Sequence, residues 1–368
     1  MKKSTQTNTV KNLLVKINLE GKGVVNMDSK DQKFIFNSLE NSHMKAFHDN
    51  ISYAKKNFYK NEDGKVSYKL KISSNCIKHE MYKKDIFAQS PNITHHDSIL
   101  YSYIASPTSL VRGYMFANKE ETVKRKSALS MSDAEQTCMA MSQLETFSKS
   151  GEKTLNSEDS DKSDNTFFKQ ETVGEIKYES IGNIDLMALQ FASSSQVFDR
   201  YSFNPEKFEL FKEFLQTKMP NFNSELGYYQ IKNSTINIPE YGFMLSNENV
   251  LFLVKETLSR FIKLEIKRRG GYASISGLQI KLVTNPTINT FNEKDGWINI
   301  KSQKDIDDLN FETEEFYELC DLKKTEEIME KVKEKVKLLK QKDKDDKIKK
   351  DEKKSEQKKK KNEKNISA

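Results

Sequence analysis

The chain has 368 residues, is 36% hydrophobic and 31% charged, and carries a formal net charge of +7. A chain of this length buries one large core or two modest ones, and no apolar run approaches the roughly 20 residues of a membrane span. Cys76, Cys138 and Cys320 are far apart and form no CxxC pair, which excludes a disulfide framework and suits a reducing cytoplasm.

In chain order, residues 12–28 (NLLVKINLEGKGVVNMD) alternate apolar and polar before meeting Gly21 and Gly23, which predicts a strand and a turn. MKKSTQTNTVKN, ahead of them, has a basic start but no apolar core, so no secretion signal is expected. Residues 29–66 are polar and aperiodic, an irregular excursion with one strand near Phe34–Phe36. YKLKISSNC predicts a short strand running into an amphipathic helix, IKHEMYKKDIF, with Ile77, Met81 and Ile86 or Phe87 on one side. SPNITHHDS reads as a loop, since Pro91 disfavours helix at Ser90. A helix broken before Pro107 follows, then a segment ending in a strand.

Ser132 and Glu135 make a capping-box pattern. Behind it Ala134, Cys138, Met141, Leu144 and Phe147 have helical spacing, which predicts a helix with a core-facing stripe. Residues 148–165 hold one apolar residue in 18 and read as a mobile loop. TFFKQETVGEIKYESIG predicts a projecting hairpin over 166–181, turning near Val173–Gly174. NIDLMALQFASSS reads as a buried strand, and 204–219 as an amphipathic helix with Pro205 in its first turn.

Residues 246–269 carry the clearest helical pattern. Ser246 or Asn247 caps it, Val250, Leu251, Val254, Leu258, Phe261 and Ile262 share a face, and Lys267, Arg268 and Arg269 suit its carbonyl end. Gly270–Gly271 stops it, and YASISGLQIKLV returns as a strand. Beyond about residue 321 the aromatics vanish. Ile328, Val332 and Val336 allow a short helix before a Lys-rich stretch that reads as disordered. Strands flanking two long helices, without repeated βαβ units, predict an α+β core over 1–320 with an open sheet on one face, and a charged tail over 321–368.

The net charge is a tail property. From Asp321 onward 19 Lys face 12 acids, so residues 1–320 hold 42 basic and 42 acidic side chains. Local segregation remains: residues 42–130 have 15 Lys and Arg against 8 acids, and 131–190 have 5 against 12. The basic section suits phosphates and the acidic one the basic section of a neighbouring copy; both also fit ordinary solvated surface.

Between Lys71 and Ser127, cations stand beside short hydroxyl and amide residues, a mixture suited to gripping a phosphate backbone. Arg112 precedes Gly113, whose missing side chain permits close backbone approach, and Lys124, Arg125 and Lys126 run together before Ser127. Phe167 or Phe168, ahead of Lys169, supplies a flat ring able to wedge between bases, and the alternative is a core ring. Cys76-x2-His79 and His95–His96 lack a second close pair to complete a four-ligand set, so no metal and no cofactor is expected. Asp133 is the one candidate acid for cleavage, and a place in the first turn of a capped helix explains it structurally. No nucleotide-binding glycine loop, HExxH or Ser/His/Asp order appears, so no catalytic residue is assigned.

ISSNCIKHEMY, ASPTSLVRGYMF, KRKSALS, FFKQETVGEIKYESIG and LQFASSSQVFDR, in that order, resemble the landmarks of the backbone subunit (RAMP superfamily) of type I CRISPR effector complexes, or Cascade. The resemblance is closest to the minimal, variant type I-F branch and spans most of residues 12–300. It implies an RRM-like (ferredoxin-like) palm with an open antiparallel sheet and a thumb hairpin, here Phe167 to Ser180. It implies a non-catalytic subunit that polymerises head to tail along a crRNA and presents it to a target DNA strand, with other Cascade subunits as partners and no membrane. Asn75, Lys78 and His79, Arg112 and Gly113, and Lys124, Arg125 and Ser127 match the family's RNA-facing landmarks; Lys126, Phe167, Phe168, Lys169, Arg268 and Arg269 complete the expected RNA-binding set. The alternatives are a RAMP-type endoribonuclease using Asp133 and a stand-alone RRM-like RNA-binding protein.

Overall fold

The first predicted strand, β1 (Asn12–Gly23), is an inner strand of the largest sheet, paired on both sides. Leu13, Val15, Ile17 and Leu19 are buried, while Lys16, Asn18, Glu20 and Lys22 alternate with them on the other face. The computed structural model describes residues 9–28, 51–60, 62–83, 96–117, 122–139, 142–149, 166–196, 200–235, 238–268, 270–286, 290 and 294–320, with single positions at 330, 334 and 338. The architecture is mixed α and β, with antiparallel sheets and few helices.

Antiparallel to β1 lie β12 (Glu175–Asp185) on one side and β17 (Gly271–Val283) on the other, so that Ile17 faces Ser180 and Leu278. Past β12 come β8 (Leu129–Met131), β9 (Ala134–Gln136), β5 (Val66–Ile72) and β4 (Lys56–Lys60). Past β17 come β16 (Glu265–Arg268) and β18 (Ile298–Ile300). The end of β1 passes close to the β16–β17 turn. Gly23 has φ 78°, and a Cβ there would stand 2.2 Å from the Gly270 carbonyl oxygen, so only glycine fits.

Two helices cover the apolar face. In α6 (Asn247–Ile262), capped by Ser246, the buried stripe is Val250, Leu253, Val254, Leu258 and Phe261. In α1 (Ser74–Tyr82) it is Ile77, Met81 and Tyr82. The helices touch each other, and reach β17 and β16 respectively. Burying an aliphatic or aromatic side chain of this size stabilises by about 1.5–3 kcal/mol, so α6 is anchored by its stripe more than by propensity.

The other elements build outward. The predicted helix before Pro107 is α2 (Asp97–Ile104), and the segment after it is a second helix, α3 (Pro107–Arg112), followed by a hairpin of β6 (Tyr114–Ala117) and β7 (Thr122–Arg125). A separate sheet runs β10 (Ser142–Lys149), β11 (Thr166–Val173), β3 (Ile51–Ala54), β2 (Met27–Asp28). Another runs β13 (Phe191–Ser193), β15 (Glu240–Met244), β14 (Gly227–Ile231), β19 (Tyr317–Leu319). Under it Phe203, Phe208, Phe211 and Phe222 surround Phe243 at centroid distances of 5.3–5.8 Å. These come partly from the predicted helix at 204–219, which is a 3-10 turn at Pro205–Lys207 followed by α5 (Phe208–Lys218).

Five expectations are corrected. The predicted helix behind Ser132 is strand: the Ser132 N–H donates to the Ile181 carbonyl (2.8 Å) and its Oγ accepts from Ile181 N–H (3.1 Å), which stitches the segment to β12. Glu135, read as the capping partner, accepts instead from Asn57 Nδ2 and Tyr59 Oη. The hairpin expected over 166–181 is not a pair, because β11 pairs with β10 and the chain crosses at Gly174 into β12 of another sheet. The buried strand expected at 183–195 is interrupted by α4 (Leu186–Gln190), which Asp185 caps by accepting from Ala188 N–H. The long helix ends at Ile262, and Lys267 and Arg268 belong to β16. Residues 51–60, expected to be irregular, form β3 and β4. The strand near Phe34–Phe36, the loop around Pro91, most of the 148–165 loop and most of the tail lie outside the described residues.

Gly23→Ala should lower the unfolding free energy by about 1–3 kcal/mol, read as a shifted urea midpoint at constant m-value; an unchanged midpoint would show that the β1 end does not need this contact.

Candidate nucleic-acid interface

The start of α1 is held from outside the helix. Ser73 Oγ accepts from Cys76 N–H, and Asp133 Oδ1 accepts from Ser74 N–H at 2.9 Å. The other Asp133 oxygen pairs with Lys71 Nζ at 2.9 Å. Burial works against the charge on Asp133, but the Ser74 N–H and the Lys71 ammonium outweigh it and hold the carboxyl below its ordinary range. Asp133, next to β9, therefore caps the helix that leaves the neighbouring strand β5 instead of starting a helix of its own, and Lys71 is committed to it.

On the helix so held, Asn75 and His79 are exposed one turn apart, and Lys78 is half-buried beside them. Lys78 Nζ donates to the Leu129 carbonyl at 3.5 Å, which Ser127 Oγ also reaches, at 2.7 Å. Arg112 closes α3 within range of Lys78. The Lys78 ammonium is pulled below its ordinary pKa, first by burial and then by the Arg112 charge. Among the described residues no hydrogen bond or ion pair neutralises Arg112. Two cations held side by side, one partly desolvated, make a site that an anion would relieve.

Gly113 makes that geometry possible. Its φ is 78°, and a Cβ would lie 2.4 Å from the Arg125 carbonyl oxygen and 2.6 Å from the Ser127 nitrogen. The glycine lets the 125–127 backbone cross directly behind Arg112, placing exposed Lys126 and half-buried Ser127 alongside it.

Arg125, expected to face RNA, does not. It is 7% exposed and donates from Nε to Leu110 O (3.0 Å), from Nη1 to Phe191 O (3.0 Å), and from Nη2 to Ala188 O (2.8 Å) and Leu189 O (3.1 Å). It satisfies carbonyls at the ends of α3 and α4 that have no partner within those helices. Ser127 is likewise a framework residue, its hydroxyl donating to Leu129 O. Arg268 pairs with Glu80 at 2.7 Å and reaches Cys76 Sγ at 3.8 Å, tying β16 to α1. Lys124 is half-buried, and its N–H donates to Tyr201 O at 2.7 Å. Phe167, Phe168 and Lys169 lie in β11, in register with Ser148, Phe147 and Thr146. Arg269 lies outside the described residues.

Of the expected set, the structure gathers Asn75, Lys78, His79, Arg112, Gly113, Lys126 and Ser127 around one spot. It turns Arg125 inward and neutralises Arg268. Sequence reasoning missed the aromatic and cationic pairs of the β4–β5 hairpin, where Lys56 Nζ stands 4.8 Å over the half-exposed Tyr68 ring and Lys69 Nζ 5.6 Å over Tyr59. Alternation of aromatic and Lys in KNFYK and SYKLK was the available signal. Among the described residues no group of three or more His, Cys, Asp or Glu is placed to hold a metal, and no helix is long and apolar enough to cross a membrane.

A family model described as "Type I-Fv CRISPR-associated protein Cas7fv-like" matches residues 9–317. No curated protein matches the chain. Among solved structures, a chain of a "CRISPR RNA-guided surveillance complex" is similar at 12% identity and TM-score 0.26, over 62% of this chain and 66% of that one, just under two thirds of its length. A chain of a "CRISPR RNA-guided surveillance complex, pre-nicking" is similar at 9% identity and TM-score 0.36, over 75% and 78%.

Two outcomes test the framework. Arg125→Leu should cost about 2–4 kcal/mol by orphaning buried carbonyls, measured by urea denaturation. Because Asp133 titrates below its unfolded value, its contribution to stability is present above the ordinary carboxylate pKa, near ~3.9, and is lost as pH falls through the depressed value. Asp133→Asn should therefore flatten the acid limb of the stability–pH curve below about pH 4; an unaltered limb would contradict the assignment.

Proposed function

The chain belongs to the type I-Fv CRISPR-associated Cas7fv-like family, and from that premise we propose that it is a non-catalytic backbone subunit that binds crRNA in a Cascade complex. Copies line up head to tail along the guide, shield its phosphates and present its bases to a target DNA strand, beside other Cascade subunits in the cytoplasm. Sequence reading is then left to base pairing, as in other RNA-guided systems. The observation that carries this reading is the Lys78–Arg112 pair at the junction of α1, α3 and the 125–129 segment.

An RRM-like palm accounts for the strand order. The run β17–β1–β12 with β8 and β9 beyond, α1 following β1 and α6 following β12, is the order of a split βαβ fold. On that reading the thumb is the β10–β11 pair, residues 142–149 and 166–173, and Phe167, Phe168 and Lys169 belong to it. Asn75 and His79 supply short contacts beside Lys78, and Lys126 extends the cationic track. The core spans residues 1–320, and the 321–368 tail is dispensable for folding. Asp133 has both oxygens committed, to Ser74 and Lys71, which leaves the ribonuclease alternative without its acid.

Lys78→Ala and Arg112→Ala should each weaken RNA binding equally across sequences and reduce the slope of log K against log salt by about 0.7–1, measured by fluorescence anisotropy over a salt series. A loss confined to some sequences would mean base readout and overturn the phosphate assignment. Recombinant protein that stays monomeric and bare when mixed with crRNA would overturn the function itself. Truncation after Cys320 should leave the thermal midpoint unchanged, and a large drop would make the tail part of the core.

A further inference from the structure

Acylation of a lysine needs an amine that gives up its extra proton readily and a partner for the group that leaves. Several lysines of the core fail the first condition because a carboxylate holds their charge. Lys71 pairs with Asp133, Lys177 with Glu20, Lys207 with Asp97 and Lys232 with Glu315, at 2.7–3.0 Å. Lys78 is held differently. Its Nζ donates to a neutral acceptor, the Leu129 carbonyl, at 3.5 Å, and the charge beside it is the like charge of Arg112. Burial and that guanidinium both favour the neutral amine.

Lys218 is the comparison within the same chain. It is also half-buried, and its Nζ donates to the Ser102 carbonyl and to Ser102 Oγ. Burial lowers the ammonium of both residues, but only at Lys78 does a neighbouring guanidinium add to the effect. The surroundings of Lys78 also offer the second condition. Arg112 closes α3 at Gly113, and among the described residues no ion pair neutralises it. Exposed Lys126 runs alongside and lines the cleft between the β6–β7 hairpin, α4 and the β13–β15–β14–β19 sheet, which adds to the positive field. A doubly charged phosphoryl group placed against Arg112 relieves the repulsion between the two cations and carries whatever is bonded to it toward the amine.

We propose that Lys78 is an acylation site for small acyl phosphates, with Arg112 seating the donor's phosphate, and that acylation switches off the anion site. The amine, having lost one proton to water, attacks the carbonyl carbon of the donor. The C–N bond forms, the C–O bond to phosphate breaks, and phosphate departs with the bonding pair toward the guanidinium, whose planar donors match it. The nitrogen passes one further proton to the departing phosphate, and nothing is oxidised or reduced. The product amide is neutral, so the site loses one of its paired cations. The consequence for RNA rests on the RNA-binding reading above; the modification itself does not.

The experiment incubates the full chain with acetyl phosphate and, separately, with the N-hydroxysuccinimide ester of acetic acid, a donor without phosphate; the rate at each lysine is followed by mass spectrometry. Acetyl phosphate should modify Lys78 about tenfold faster than Lys218, the worth of one charge-assisted contact, and the ester should show a smaller preference. Arg112→Ala should remove most of the preference for acetyl phosphate, and Arg112→Lys should restore part of it. The acetylated protein and Lys78→Gln should bind a single-stranded RNA with a salt slope lower by about 0.7–1, while Lys78→Arg keeps the slope and resists the reagent. If Lys78 reacts no faster than Lys218, or keeps its preference in Arg112→Ala, the site is overturned whatever RNA does. If Lys78 is acetylated as expected and RNA binding keeps its slope, the switch falls and the site stands. If RNA does not bind the parent, the RNA reading and the switch fall together, and the site is judged by its rates alone.

Discussion

One buried guanidinium organises the surface on which the proposed function rests. Arg125 sits at the end of β7 and donates to carbonyls of α3, α4 and the first residue of β13. α3 lies far in sequence from the contiguous α4 and β13, and among the described residues no ladder joins them. A planar group with five donors meets carbonyls on several sides at once, which an ammonium cannot do. Its backbone passes behind Gly113, so the same residue sets the position of Arg112 in front and of the cleft lining on its other side.

The electrostatics of the core follow from where the acids are spent. Residues 1–320 are neutral in total, and an excess of positive potential arises only locally. Asp133 is consumed by Lys71 and the α1 cap, Glu80 by Arg268, and Glu135 by Asn57 and Tyr59. Among the described residues these three acids are occupied by structural tasks, and no ion pair neutralises Lys78, Arg112 or Lys126. Exposed ion pairs add little to stability; here their arrangement determines which cations remain available to phosphate.

Lys126, exposed in the segment behind Arg112, also lines the cleft between the β6–β7 hairpin, α4 and the β13–β15–β14–β19 sheet. Charge at one end and stacking surface at the other is the division expected of a protein that grips a backbone without reading most of its bases. The β4–β5 hairpin, with Tyr59 and Tyr68 half-exposed beside lysines, shows the same pairing of rings and cations.

The sequence by itself determined what depends on near neighbours. The alternation in β1, the Ser246 cap and apolar stripe of α6, Pro205 at the start of its turn and the break at Pro107 were all legible, because each is a property of a few consecutive residues. The family landmarks were legible for the same reason: ISSNCIKHE and SPTSLVRGY are short and continuous. Only the tertiary structure decided partners. The 134–147 segment has helical spacing, yet β12 offers a ladder to 134–136 and β11 offers one to 142–147, and both become strand. The 166–173 strand looks like half of a local hairpin, yet it pairs with 142–149, across residues that carry no pairing signal. Arg125 and Lys126 are adjacent and chemically alike, and one is buried against four carbonyls while the other is exposed. Strand pairing and the desolvation of a charge depend on groups distant in the chain, and no local pattern encodes which of them will arrive.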